Sequence, residues 1–184
     1  MEVRTALLIF HIIGVALGLG GATVSDILFL RSIKDRKITS DEFGTLKVLS
    51  RIVWAGITIL ILSGIGFLIT QYIVLDRIAS LEAQRFIAKL TLVAIVFING
   101  LVFHFKVFPI FKKYVNSSLS KMSRGELWLL SATGAISTTS WYSIIILSLW
   151  RTIPLGYWQI LSIYLLILSG GILTARLLFQ KLLK

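Results

Sequence analysis

Residues 10–26 read FHIIGVALGLGGATVSD. Glycine and aliphatic residues fill the stretch, a histidine stands second in it, and an aspartate closes it. Extended outward to residues 5 and 30, the run is long enough to cross about 30 Å of hydrocarbon, which takes roughly 20 helical residues. Four more apolar runs lie beyond it, and together they place spans near 5–30, 48–74, 86–108, 126–150 and 157–179. The spans nearly use up the 184 residues, so we expect an all-α integral membrane bundle of five transmembrane helices, residues 1–184 forming a single transmembrane domain. Composition agrees. The chain is 57% hydrophobic and 15% charged, with mean hydropathy +0.91, where a soluble domain carries about 25% charged residues. Arg4, the apolar run and the small residues Gly20, Gly21 and Ala22 also suit a signal peptide. We read the segment as a retained helix.

The net charge of +11 has the same layout. Loop 1 and its helix ends hold Arg31, Lys34, Arg36, Lys37, Lys47 and Arg51; loop 3 holds Lys106, Lys112, Lys113, Lys121 and Arg124; the C-terminus holds Arg176, Lys181 and Lys184. The other side has Arg4, Arg77, Arg85, Lys89 and Arg151, so the sides divide fourteen to five. The positive-inside rule then sets the N-terminus outside and loops 1 and 3 and the C-terminus in the cytoplasm, as expected of a prokaryotic cytoplasmic membrane protein. The basic rim should attract anionic lipids, about 1 kcal/mol per residue near the surface. The basic residues track topology without interleaved stacking aromatics, so nucleic acid is not expected as a partner. Trp54, Trp128, Trp150 and Trp158 lie near expected span ends, as an interfacial aromatic belt requires.

The chain has no cysteine, which excludes disulfides, thiolate metal sites and covalently attached c-type haem. Its histidines are His11 and His104. On a wheel of 100° per residue, His11, Gly14, Gly18, Gly21 and Ser25 form one stripe, with Ala22 beside it. Such a stripe lets another backbone, or a flat ligand, approach closely. It is either ordinary helix packing, within the chain or toward a homo-oligomer or membrane-complex partner, or one wall of a pocket headed by His11. Asp26 lies 15 residues from His11, about 22 Å along the axis, so the two mark separate levels. Asp26 is either an inner-rim carboxylate paired with Arg31 or Arg51, or a relay group for protons or cations.

The third span carries Lys89 at its outer end, Asn99 in mid-membrane and His104 toward the inner side, with Pro109 expected to end the helix. Lys89 either snorkels to the interface or meets His11, which shares its level. His104 is either part of a second site near Asp26 and Arg51 or a core histidine with a satisfied hydrogen bond. The fourth span reads LLSATGAISTTSWYSIII over 129–146. Its hydroxyls either bond back to their own helix or line a polar cavity with Trp141 and Tyr142. The sequon at Asn116 falls on the side expected to be cytoplasmic, and is set aside.

FHIIGVALGLGG resembles the first helix of the HemJ-type protoporphyrinogen oxidases and the wider CopD-like group of small membrane proteins, through His11, Gly14 and Gly21. KLTLVA at 89–94 resembles the start of that group's third helix, and Arg51 stands where the group has a basic residue opening helix 2. The likeness covers roughly residues 5–108. Where the pattern has a tryptophan seven positions after the histidine, this chain has Gly18. The resemblance implies a helical bundle holding haem b or a related tetrapyrrole near the His11–Lys89 level.

These features support three functional expectations. The first is a redox or electron-transfer protein, or a subunit of a membrane oxidoreductase, with His11 as axial metal ligand and Gly14, Gly18, Gly21 and Lys89 around the cofactor. The second is a permease for a metal ion or small solute, with Asp26, Arg51, Asn99, His104 and Trp141 as its polar path or second site. The third is a non-catalytic subunit or scaffold.

Overall fold

The structure, a computed structural model, describes residues 2–70, 80–150 and 152–183. The expected end of the second span at 71–74, and Met1, Arg77, Arg151 and Lys184, lie outside the described residues. Helix α1 covers Glu2–Lys34 and α2 Ser40–Thr70. A continuous rod comes next, made of α3 (Leu81–Val102), a π turn (Phe103–Val107) and α4 (Phe108–Tyr114). A 3₁₀ turn at Leu119–Lys121 leads to α5 (Arg124–Leu149), and α6 (Tyr157–Leu183) closes the chain. The described residues contain no strand, and their β pairing is limited to two isolated bridges.

Four helical stretches are long and apolar enough to cross a membrane: α1, α2, the rod from Leu81 to Tyr114, and α6. Their outward faces are aliphatic. Leu62 is 63% exposed, Ile69 67% and Leu166 74%, which in water would be untenable over so many contiguous residues. The chain is therefore a membrane protein. Helix α5 is long enough to cross but is not one of the four, because Ser131, Thr133, Ser137, Thr138, Thr139, Ser140 and Ser143 dilute its apolar character. It is also packed against α1, α3 and α6.

Local chemistry fixes the helix starts. Thr39 and Glu42 form a reciprocal capping box: the Thr39 N–H donates to the Glu42 carboxylate at 2.8 Å, and the Glu42 N–H donates to the Thr39 hydroxyl at 3.2 Å. Ser123 and Glu126 repeat the motif at α5, and Ser80 caps α3. The first box starts α2 at Ser40, eight residues before the expected start at 48. Trp54 is consequently in mid-helix, against Phe97. Trp128, Trp150 and Trp158 remain exposed near helix ends.

Pro109 does not end the third span. The helix widens into the π turn just before it, with the Phe108 N–H reaching Phe103 O, and then continues to Tyr114. A wide turn relieves the clash between a proline ring and the preceding carbonyls, and places the missing N–H at the start of a new helical segment.

The end of the bundle that carries most of the cations is clasped. The α1–α2 loop pairs with the loop after α4 through bridges Lys37–Ser118 and Ile38–Val115. The Asn116 N–H donates to Ile38 O at 2.8 Å and the Leu119 N–H to Arg36 O at 2.9 Å. Ile33, Ile38, Val107, Phe111 and Leu119 are completely buried beneath this knot. At the opposite end Arg85 donates to Ile153 O at 3.0 Å, and the Tyr157 N–H to the Gln84 side chain at 3.1 Å.

Candidate functional site

The glycine stripe of α1 is filled from within the chain. A Cβ on Gly14 would stand 2.9 Å from Leu60 Cγ, and one on Gly21 2.8 Å from Val53 Cγ2. A Cβ on Gly56 would overlap the Gly18 amide and lie 2.7 Å from its Cα. Helices α1 and α2 thus cross backbone to backbone at Gly18 and Gly56, which only small residues allow. A side chain at Gly18 would overlap the Trp141 ring from α5. Trp141 is 4% exposed and takes the space beside the first-helix glycine.

Next to this crossing, toward the clasped end, four helices border a half-open cavity of about 70 Å³. Helix α1 contributes Ser25 and Asp26, α2 Ser50 and Trp54, α3 Asn99 and the π turn Phe103, and α5 Thr133, Ser137 and Trp141. Asp26, Asn99 and Trp141, singled out from sequence, are brought together here. Asp26 accepts a hydrogen bond from the Thr138 hydroxyl at 2.9 Å. It does not pair with Arg31, which approaches Asp35 at 3.8 Å instead, nor is Arg51 found in the lining. The buried Asn99 amide donates to Thr133 O at 3.0 Å. The hydroxyls of α5 divide between the two expectations. Ser131, Thr133 and Ser148 bond back to their own helix, whereas Thr138 reaches Asp26 and Ser140 meets the Tyr164 hydroxyl at 2.9 Å. Tyr142 turns to Thr23, 3.4 Å away, and does not line the cavity.

Arg51 and His104 are both exposed. His104 stands edge-on to Phe105 and Phe108, with centroids 5.0 and 6.3 Å away. It is neither a cavity residue nor a hydrogen-bonded core histidine among the described residues. On a uniform wheel His104 lies about 60° from Lys89, and that offset is enough to carry it from a partly buried face to an exposed one. Of the lining residues with a polar or indole side chain, sequence reasoning misses Trp54 and Ser50. Trp54 is assigned to a span end by hydropathy alone, and Ser50 lies one position from Arg51 on the inward face.

His11 forms a separate locus near the other end. Its Nδ1 is 2.9 Å from Ser63 Oγ, and its ring is edge-on to Phe67 at 5.7 Å. The Ser63 hydroxyl already donates its proton to Ile59 O at 2.7 Å. Ser63 therefore accepts from Nδ1–H, and in the neutral imidazole Nε2 holds the lone pair. Lys89 is close enough for its charge to act on His11, so the two share a level. His11 stands apart from any multidentate metal centre, since no three His, Asp or Glu side chains gather among the described residues. No protein-family model, no curated protein and no solved structure matches this chain.

Proposed function

We propose that this chain is a membrane permease or binding protein for a small cation or protonatable solute held at Asp26. The observation that carries this reading is the convergence of Asp26, Asn99, Ser25, Ser50 and Ser137 with two indole rings in one cavity inside the bundle. A carboxylate at this depth is costly unless it is partnered. Thr138 supplies one hydrogen bond, and an ionised carboxylate accepts about four. The remaining capacity suits a proton, a small hydrated cation or an amine, and indole rings attract cations by about 0.5–2 kcal/mol. The half-open cavity of about 70 Å³, about half the roughly 150 Å³ that holds a benzene ring, suits a small solute.

The topology proposed with this reading has all five long helices crossing a prokaryotic cytoplasmic membrane, N-terminus outside and C-terminus inside. The clasp supports it by joining the two most basic loops at one end. The test is flux into proteoliposomes of sodium, potassium, ammonium and methylammonium, with proton movement followed by an internal dye. Asp26→Asn, which keeps an acceptor for Thr138, lowers flux of the carried ion at least tenfold, and His104→Ala leaves it unchanged. Equal flux through Asp26→Asn and the parent protein sinks the proposal.

A second reading rests on His11. A ring nitrogen whose tautomer is set by a hydroxyl partner is the arrangement an axial ligand uses, and the likeness to the HemJ and CopD-like proteins points the same way. Leu60, Val53 and Trp141 stand against Gly14, Gly21 and Gly18, so on this reading haem b would lie near His11 and Lys89, away from those glycines. A Soret band that shifts on reduction and disappears in His11→Ala supports it. Colourless protein from haem-replete cells overturns it.

A further inference from the structure

A second concavity lies at the clasped end, on the outer side of α5 and α6. It is an open groove of about 400 Å³ lined by Arg124, Trp128, Ser131, Arg176 and Gln180, with Ser120 at its edge. Two guanidinium groups, from helices distant in sequence, border one space. No acidic side chain lines it. Glu126, the carboxylate closest to Arg124 in sequence, is already engaged by Lys113 Nζ at 2.9 Å, the Tyr114 hydroxyl at 3.0 Å and the Ser123 N–H at 2.7 Å. The ion pairs among the described residues are Arg31–Asp35 and Lys113–Glu126, so neither Arg124 nor Arg176 has an acidic partner there.

The surroundings say which anion is at hand. Trp128 is 52% exposed beside Arg124, at the depth where indoles mark the headgroup region. Leu173 and Leu177 flank Arg176 and face outward, as side chains against acyl tails do. Planar guanidinium forks match phosphate oxygens in pairs, and basic pockets between membrane helices hold lipid headgroups. We infer that this groove is a binding site for the phosphate of an anionic phospholipid, with Arg124 and Arg176 gripping the headgroup and Trp128 lying along the glycerol region. The site is independent of the Asp26 cavity.

The experiment is native mass spectrometry of the full chain released from nanodiscs containing equal phosphatidylglycerol and phosphatidylcholine. The parent protein retains phosphatidylglycerol at least tenfold over phosphatidylcholine. The double variant Arg124→Gln, Arg176→Gln loses that preference. The charge-keeping double variant Arg124→Lys, Arg176→Lys keeps most of it. The double variant Lys34→Gln, Lys37→Gln, which removes equal charge from exposed positions outside the groove, also keeps it. An equal loss in the two glutamine variants would mean diffuse attraction to the rim and would overturn the site. So would equal retention of both lipids by the parent. Displacement of phosphatidylglycerol by millimolar inorganic phosphate would make the groove a free-phosphate site and overturn the lipid assignment.

Discussion

At the scale of the residue, the two classes of glycine in this chain behave oppositely. Gly56 meets the Gly18 backbone, which has no rotamer to yield. Gly56→Ala should destabilise the bundle by about 1–3 kcal/mol, the usual cost of overpacking. Gly64 has open space where a methyl group would stand, with nothing within 4 Å, so Gly64→Ala should be neutral or stabilise by up to about 1 kcal/mol through helix propensity. Denaturant unfolding of both variants in mixed micelles separates them; equal losses would mean that the helix crossing is not where the structure puts it. The stripe from His11 to Ser25 was legible because 3.6 residues per turn brings those positions into line. Its occupant was not, because Leu60, Val53 and Trp141 belong to helices distant in sequence, and spacing within one helix says nothing about them. Asp26 showed the same limit. Its isolation in an apolar run was plain, but its partner, Thr138, was one hydroxyl among many in α5.

At the scale of the element, the differences between expectation and structure trace to ends and turns. The Thr39-x-x-Glu42 box is present in the sequence and is the signal for the α2 start. Hydropathy alone begins the helix at 48 and moves Trp54 to a span end. The π turn leaves less trace. Proline alone announces a break, and whether the rod stops or widens depends on whether the next turn has something to bury. Here Phe111 and Tyr114 are buried, which draws the helix onward. The α5 box also carries a pH response. Glu126 lies in the first turn, ahead of the apolar run of its helix. Burial pushes its carboxyl up, but the Ser123 N–H, Lys113, the Tyr114 hydroxyl and the Ser123 hydroxyl together hold it down to about 2, from 4.5. A carboxylate with a depressed value stabilises the folded state fully above its unfolded value and loses that contribution as pH falls through the folded one. Thermal unfolding of the parent should therefore ease between pH 4.5 and 2, with a shallower slope for Glu126→Gln. Identical slopes would refute the role of the box.

At the scale of the molecule, the all-α membrane character was the most legible property, since hydropathy and length need no tertiary contact. The joining of the two basic loops was not legible, because it rests on backbone geometry. Asn116 has φ 57° and Arg36 φ 56°, both in the left-handed region, and the Asn116 amide donates to Ser40 Oγ at 2.9 Å. Asn116→Ala loses that bond and also the tolerance of asparagine for the left-handed region, which costs other side-chain-bearing residues about 1–2 kcal/mol. Asn116→Gly loses the bond alone and should be the milder variant. The reverse order by thermal unfolding would remove the strain argument.

The clasp also dictates a schedule for biosynthesis. The carbonyls of Arg36 and Ile38 are satisfied by the N–H groups of Leu119 and Asn116, which emerge roughly 80 residues later, or about 4–16 s at ordinary translation rates. The first hairpin therefore enters the bilayer with its turn unfinished. It is completed only when the tail of the third crossing arrives, so a nascent chain arrested before residue 119 should leave that turn open to protease, and one arrested well beyond it should not.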